Sequence, residues 1–140
     1  MADKYNLQRF VDAQATTYEL ALAELQAGRK QSHWMWFIFP QLKGLGHSDT
    51  AQRYGISGLD EANAYLSHPV LGPRLRGCTD AILAWGQRSA REIFGSPDDM
   101  KLCSCMTLFA TLSHEPGIFS QVLDQFFDGH ADPLTLARVG

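Results

Sequence analysis

The stretch from Ser96 to Leu112 reads Ser-Pro-Asp-Asp-Met-Lys-Leu-Cys-Ser-Cys-Met-Thr-Leu-Phe-Ala-Thr-Leu. Ser96 is a favoured helix N-cap, Pro97 suits the first helical position, and the two aspartates after it favour the positive end of a helix dipole. From Met100 onward the stretch is apolar on almost every side, which is typical of a helix at the buried centre of a bundle. It therefore predicts one central helix that the rest of the chain surrounds.

Helical periodicity continues on both sides of this central helix, and no segment shows strand alternation bounded by hairpin turns. Residues 34–39 fit a short helix capped by Ser32 or an extended segment, and Pro40 favours a helix that ends before it. The other predicted helices are 7–27, with a candidate break at Thr16 and Thr17, 59–66 after a Ser57 cap, 69–86, 89–95 after a Ser89 cap, 116–127 starting at Pro116, and a terminal turn over 132–136. The predicted fold class is all-α, with six or seven helices packed as an irregular orthogonal bundle or a short helical horseshoe. Periodicity does not choose between those two arrangements.

The composition is that of one globular domain, which we expect to span residues 1–140. Of the 140 residues, 45% are hydrophobic and 19% are charged, and 12 Lys and Arg against 15 Asp and Glu give a net charge of −3. A duplex-binding protein needs a concentrated basic face, so this balance argues against duplex nucleic acid as a partner. The longest apolar run, from Trp34 to Pro40, is far shorter than the ~20 residues of a membrane span. We expect no membrane association and a monomer or weak homodimer.

Cysteine and histidine usage indicates a cytoplasmic protein without a metal. The N-terminal residues lack the apolar core of a secretory signal. The three cysteines, Cys78, Cys103 and Cys105, form an odd set without the usual metal or redox spacing, and they are predicted to be reduced, buried thiols. The five histidines are scattered, and phosphate-loop, dinucleotide-binding, zinc and serine-hydrolase motifs are absent, so the sequence predicts no metal and no cofactor.

Residues 29–36 read Arg-Lys-Gln-Ser-His-Trp-Met-Trp. This segment contains most of the side chains in the chain that could bind a ligand or take part in catalysis. Two cations, a hydroxyl, an imidazole and two indoles can clamp an anionic, planar ligand, with the cations on a phosphate and the indole faces on a ring. Each residue also has a structural interpretation. The cations Arg29 and Lys30 can offset a helix dipole, Ser32 can cap a helix, and His33, Trp34 and Trp36 can pack in the core.

Two further groups are candidates for a site. Asp98, Lys101 and Ser104 are spaced three apart along one side of the central helix, where a lysine must reach water, a carboxylate or a ligand. The structural alternative is an ion pair between Asp98 and Lys101 on a solvated helix face. The third candidate is His68, with Arg74 nearby in sequence, as an acid–base group, although its position before a proline also suits a helix start.

The string from Ser32 to Gln41, Ser-His-Trp-Met-Trp-Phe-Ile-Phe-Pro-Gln, follows Gly28-Arg29-Lys30. Together with other matches along nearly the whole chain, it closely resembles the DUF1810 family, a domain of unknown function found mainly in bacteria. Those other matches include Gly44-Leu45-Gly46, Tyr65-Leu66, His68-Pro69-Val70-Leu71-Gly72, Phe94-Gly95 and Thr107-Leu108-Phe109. The resemblance implies a mainly α-helical single domain and implies no activity. A calpastatin label on some members looks like misannotation, because nothing here resembles a protease-inhibitor repeat.

The family's pattern also singles out polar residues that a core alone would not require. They fall in three separate segments, as an assembled site needs, and they are Arg29, Lys30, Ser32, His33, Gln41, His68, Arg74, Asp98, Lys101 and Ser104. The order of segments is faintly similar to that of small helical proteins that handle ADP-ribose-type metabolites.

The leading hypothesis is a domain that binds a small anionic ligand, nucleotide-like or ADP-ribose-like, with hydrolysis of that ligand left open. Phosphate would be held by Arg29 and Lys30, and a ring would stack on Trp34 or Trp36. Acid–base function would come from His33 or Asp98, with Lys101 as electrostatic support. The alternative is a non-catalytic interaction module, whose partner docks on an aromatic groove lined by Trp34, Phe37 and their neighbours.

Overall fold

The computed structural model describes residues 3–112 and 117–139 of the chain. Ten helices lie within these residues: α1 (Gln8–Gln14), α2 (Tyr18–Gln26), α3 (Met35–Ile38), α4 (Asp49–Arg53), α5 (Leu59–Ser67), α6 (Leu71–Leu83), α7 (Ala90–Phe94), α8 (Asp98–Ala110), α9 (Ile118–Phe127) and α10 (Pro133–Val139). The all-α class is confirmed, but the predicted count of six or seven helices is too low. The additional helices are short, and a helix of about one turn is too brief to show a 3.6-residue period.

Helix α8 is the buried centre that its sequence predicts. The eight consecutive residues from Leu102 to Phe109 are all buried, and α8 contacts α5, α7, α9 and α10. Its start differs from the prediction by one residue, because Pro97 and not Ser96 occupies the N-cap position. The acidic pair of the first turn, Asp98 and Asp99, remains where it favours the positive end of the dipole.

A chain of aromatic rings runs through the core and connects four helices. The ring of Phe10 lies 5.0 Å from that of Tyr65, which lies 5.6 Å from Phe109, which in turn lies 5.7 Å from Phe119. These residues come from α1, α5, α8 and α9, and all four are buried. Aromatic pairs at such centroid distances stabilise the fold beyond the free energy of burial. The ring chain therefore connects α1, α5 and α9 with α8.

Several predicted helix boundaries are confirmed and others are wrong. The first helix breaks at Thr17, residues 35–38 are helical and end before Pro40, and Ser89 caps α7 with the reciprocal hydrogen bonds of a capping box. The predicted Ser57 cap is wrong, because Gly58 is the N-cap of α5 and the backbone N–H of Ser57 donates to Glu61. The terminal segment is a helix, α10, and not a turn. The predicted start at Pro116 lies outside the described residues.

The segment between α3 and α5 is a loop closed at its base by a backbone bridge. Leu42 pairs with Ile56 in parallel, through hydrogen bonds from Lys43 N to Ile56 O at 2.8 Å and from Ile56 N to Gln41 O at 2.9 Å. Helix α4 lies within this loop. Gly55 must be a glycine here, because an added Cβ would lie 2.6 Å from the Cα of Lys43. In the part of the chain that the structure describes, no helix is both long and apolar enough to cross a membrane.

Candidate functional site

Two lysines from different parts of the sequence converge on one carboxylate. Lys30, in the loop after α2, places Nζ 2.8 Å from Oδ2 of Asp98, and Lys101 of α8 places Nζ 3.5 Å from Oδ1 of the same side chain. The side chain of Lys30 is 8% exposed, that of Asp98 is 19% exposed and that of Lys101 is 28% exposed. The intrahelical pair predicted as the structural alternative therefore exists, but it is part of a three-residue group that also includes Lys30.

Each lysine of this group also lies over an indole ring. The Nζ of Lys30 is 5.0 Å from the ring centroid of Trp34, and the Nζ of Lys101 is 5.1 Å from that of Trp36. At these distances the ammonium groups are attracted to the aromatic faces. Trp34 is fully buried, so its ring cannot stack on a ligand, whereas Trp36 is half-buried and its indole remains accessible.

Glu24 of α2 holds the loop that carries Lys30 and Trp34. Its buried carboxylate accepts hydrogen bonds from the backbone N–H groups of Gln31 (2.8 Å) and Ser32 (2.9 Å), from Ser32 Oγ (2.6 Å) and from Trp34 Nε1 (2.9 Å). Burial raises the pKa of Glu24, but these hydrogen bonds, with that of the Ser32 hydroxyl foremost, outweigh burial and hold the pKa below its ordinary value. The predicted helix-capping role of Ser32 is wrong, because its hydroxyl donates to Glu24.

The space beside Trp36 is a small crevice. It measures about 10 Å³, which is at the lower limit for a single water molecule. Helix α4 contributes one wall, and the lining residues are Met35, Trp36, Phe39, Gln41, Ala51, Tyr54 and Lys101. Gln41 thus lies next to Trp36 and Lys101. A ligand at this site would lie on the surface formed by Trp36 and Lys101, or would have to move α4.

Three predicted site residues form contacts that involve neither Lys30 nor Lys101. His68 Nδ1 accepts hydrogen bonds from the backbone N–H groups of Val70 and Leu71, so this residue caps the start of α6, as its place before a proline indicated. The guanidinium of Arg74 lies 4.7 Å from the ring centroid of Tyr18. Ser104 Oγ donates to Asp132 Oδ2 at 3.0 Å. These contacts explain all three residues without a ligand.

Arg29 and His33 flank the convergent group but do not join it. Both are exposed, and within residues 3–112 and 117–139 neither side chain forms a hydrogen bond or an ion pair. The imidazole of His33 therefore has no contact with Asp98 or Lys101 that would orient it as a general base. Within the same described ranges, no three His, Cys, Asp or Glu side chains are grouped so as to hold a metal ion.

The sequence interpretation missed two polar residues that organise the molecule, Gln14 and Glu24. Gln14 is buried and donates through Nε2 to Phe37 O at 2.7 Å and to Tyr65 Oη at 3.1 Å, and Glu24 holds the loop described above. Each lies on the apolar stripe of its helix, four residues after Phe10 for Gln14 and three after Ala21 for Glu24. A polar residue at a stripe position is a signal of a buried hydrogen-bonding role, and it could have found both.

Known relatives of the chain carry no assigned activity. Residues 4–139 match the family model described as "Protein of unknown function (DUF1810)". The chain is also similar to the crystal structure of the conserved hypothetical protein Rv1873 from Mycobacterium tuberculosis, with 52% sequence identity, coverage of 98% of each chain and a TM-score of 0.96. Among curated proteins none matches the chain.

Proposed function

The chain belongs to the DUF1810 family, and we propose that it binds a small ligand that carries both an anionic group and a flat ring. The proposed site consists of Lys30, Trp36, Gln41, Asp98 and Lys101, and we refer to it as the lysine–tryptophan cluster. We place the protein in the cytoplasm, and the free, buried state of its three thiols supports a reducing compartment.

One observation carries this proposal: two ammonium groups share a single carboxylate. Lys30 and Lys101 together bring two positive charges to Asp98, which supplies one negative charge. A largely buried lysine that is imperfectly neutralised favours a second anion, because an unpaired ammonium is costly away from water. A phosphate or carboxylate on the ligand would complete the charge balance through charge-assisted hydrogen bonds.

The aromatic part of the ligand is assigned to Trp36. Its indole is half-buried and already attracts the ammonium of Lys101, so a ring and an anionic group on one molecule could engage neighbouring partners. Gln41 lies beside Trp36 and Lys101, and its amide offers a donor and an acceptor to polar atoms of a base. Nucleotides and ADP-ribose derivatives have this combination of groups.

The proposal is restricted to binding. Both carboxylate oxygens of Asp98 face ammonium groups, so neither is oriented toward a substrate proton. His33 is exposed and, in the described part of the chain, forms no hydrogen bond or ion pair with this group. An interaction module is not proposed as a second function, because Trp34 is buried and Phe37 is partly buried against the core, so these two residues form no exposed aromatic groove.

Thermal-shift and calorimetric titrations with nucleotides and ADP-ribose derivatives test the proposal. We expect at least one compound to raise the melting temperature of the wild-type protein, because a ligand that binds only the folded state stabilises it. Lys101→Ala should weaken that binding at least about tenfold, since it removes a charge-assisted contact of about 1.5–3 kcal/mol. Trp36→Leu should weaken binding of the ring-bearing compound but leave the weak binding of inorganic phosphate unchanged.

Arg76→Ala is the matched control, because it removes an exposed cation of α6 that does not line the cluster. Its ligand affinity should equal that of the wild type. The proposal fails if no compound of the panel shifts the melting temperature, or if Lys101→Ala binds the active compound as tightly as Arg76→Ala does.

A further inference from the structure

A second feature, a basic groove, lies along the residues that flank the Leu42–Ile56 bridge. It consists of two adjoining clefts of about 500 and 530 Å³ that share Tyr5, Lys43 and Ser57. Each volume falls in the range of about 300–1,000 Å³ that small-molecule sites occupy. The lysine–tryptophan cluster contributes none of the residues that line either cleft.

The charge of the groove is opposite to that of the whole chain. Five of the 12 Lys and Arg residues line it, namely Lys4, Arg9, Lys43, Arg53 and Arg138, but only two of the 15 Asp and Glu residues do, Asp60 and Glu61. The whole chain carries a net charge of −3. Concentrating cations in a concave surface of an acidic protein raises the local concentration of anions there.

Most of this positive charge is not neutralised by neighbouring side chains. Glu61 is paired with Arg9 at 2.8 Å, and both side chains are largely buried. Within the described residues, Lys4, Lys43, Arg53 and Arg138 form no ion pair, and all four are exposed. The groove therefore presents four cations that an incoming anion can contact.

Arg9 acts as the internal support of the groove. Besides Glu61, its guanidinium donates to the carbonyl oxygens of Arg53 at 2.8 Å, Gly55 at 3.0 Å and Tyr5 at 2.6 Å. These carbonyls belong to the groove wall on both sides, so one buried side chain fixes the wall residues relative to each other. Such a support pre-organises the surrounding cations, which lowers the entropic cost of binding a ligand.

The backbone brings the remaining cations close to the bridge. Gly55 lies against the backbone of Lys43, as described above, and the guanidinium of Arg138 lies on Gly44, where an added Cβ would be 2.9 Å from Arg138 Nη1. Gly44 also has a φ of +98°, which an L-residue with a side chain rarely adopts. The bridge thus places Lys43 where the two clefts adjoin, and α10 places Arg138 in one of them.

We propose that this groove is a second anion site, distinct from the lysine–tryptophan cluster, and that it takes a small polyphosphate-bearing molecule. Four unpaired cations along one groove match a ligand with several adjacent negative charges better than a single phosphate or carboxylate. Arg53 and Arg138 can each hold phosphate oxygens in a bidentate manner, and the Ser57 hydroxyl adds a further donor.

Calorimetric titration of the full chain with inorganic tripolyphosphate tests this proposal. We expect binding at low ionic strength that weakens as salt is added, because exposed cations are screened. The double variant Lys43→Ala with Arg53→Ala should weaken binding at least about tenfold through the loss of two charge-assisted contacts. Both residues are exposed, so an unchanged circular dichroism spectrum and melting temperature should show that the variant folds.

Two control variants separate this site from the one proposed above. Arg76→Ala removes one positive charge outside both sites and should bind tripolyphosphate within about twofold of the wild type, allowing for the change in long-range field. Lys101→Ala should lose only the weaker anion binding at the lysine–tryptophan cluster and keep the tighter binding at the groove. If Lys101→Ala and not the double variant abolishes binding, tripolyphosphate binds at the lysine–tryptophan cluster and the groove proposal is overturned. Wild-type affinity in the double variant overturns it equally. Tighter binding of a single-stranded oligothymidine than of tripolyphosphate, lost in the double variant, would replace the small ligand with nucleic acid.

Discussion

Glu24 shows how one side chain can position a candidate site that it does not itself form. Its carboxylate accepts four hydrogen bonds, all from neutral donors of residues 31–34, and is 8% exposed. We predict that Glu24→Gln lowers the free energy of unfolding by about 2 kcal/mol, because the amide cannot accept all four hydrogen bonds and buried donors lose their partner. Urea denaturation of both proteins measures this difference, and Glu19→Gln, an exposed change on the same helix, is the control.

The same carboxylate predicts a pH dependence. The pKa of Glu24 is lowered in the folded protein from an ordinary value of 4.5, so the unfolded chain binds the proton first as the pH falls. The stabilisation is therefore complete above about pH 5 and declines as the pH drops through 4.5 toward the folded pKa. Since glutamine does not titrate, the stability difference between wild type and Glu24→Gln should shrink on acidification. A difference that stays constant between pH 6 and the acid limit of folding would contradict this account.

Single-residue roles were the least predictable from the sequence, and Ser32 and Ser104 show why. Ser32 is a favoured N-cap residue, yet its hydroxyl donates to the buried carboxylate of Glu24, eight positions earlier, and does not cap a helix. Ser104 has helical spacing with Lys101, yet its hydroxyl turns to Asp132, which lies 28 positions further along the chain. Local preference is worth about 1 kcal/mol at a helix cap, and a charge-assisted hydrogen bond in a buried setting exceeds it.

At the scale of secondary structure, α10 is docked on α8 through the buried carboxylate of Asp132. Its Oδ2 accepts hydrogen bonds from Ser104 Oγ at 3.0 Å, Thr135 N at 3.2 Å and Thr135 Oγ1 at 2.5 Å. The backbone N–H of Asp132 donates to Thr107 Oγ1 at 2.8 Å. One side chain therefore both caps the start of α10 and attaches it to the central helix.

We predict that Asp132→Ala releases α10 while leaving the rest of the fold intact. Loss of the cap and of the Ser104 contact should cost about 1–3 kcal/mol. Hydrogen exchange of residues 133–139 should accelerate, because these amides then exchange through local opening and not through global unfolding. Tripolyphosphate binding should also weaken, since α10 carries Arg138 to the basic groove. Asp124→Ala, an exposed change on α9, should alter neither quantity, and uniform acceleration across all helices would argue against a separate docking step.

The length of a helix decides whether the sequence predicts it. Helices α6 and α8 each span 13 residues, long enough for the apolar pattern to repeat over three turns, and both were predicted. Helix α4 has five residues and none of them is buried, so it offers no apolar stripe from which to predict it. It exists because Ser48 caps its first turn and the Leu42–Ile56 bridge closes the loop around it.

At the scale of the whole molecule, the sequence predicts the members of the lysine–tryptophan cluster but not that they meet. The sequence indicated both Lys30 and the Asp98–Lys101 pair as candidates, from residue density and helical spacing. That Lys30 meets Asp98 at 2.8 Å depends on the contact of its loop with α7, where Lys30 N donates to Ile93 O at 2.7 Å, and on the packing of α7 against α8. No local pattern encodes these contacts. The sequence does not predict the basic groove either. Its cations are spread from residue 4 to residue 138, and the net charge of the chain is negative.

The reactivity of the three cysteine thiols measures how the core opens. Burial raises the pKa of the Cys78 thiol to about 12, and it raises those of Cys103 and Cys105 as well, with Asp132 adding to the effect at Cys103. The thiolate is the reactive form, so native thiols should react slowly with a disulfide reagent such as dithionitrobenzoate. All three side chains are also buried, on α6 and α8 within the same hydrophobic core. Reaction therefore requires the structure to open.

We predict that Cys78 and Cys105 are labelled together, at a rate that rises with urea as steeply as global unfolding does, because one cooperative core protects both. Cys103 should react before them, because its Sγ lies 3.6 Å from O of His130, in the segment that leads into α10, and we expect release of α10 to loosen this segment. Mass spectrometry of labelled peptides measures the order, and Asp132→Ala should accelerate Cys103 selectively. Labelling of Cys78 or Cys105 that is fast and insensitive to urea would mean that α6 and α8 separate without global unfolding, and the core would then not be one cooperative unit.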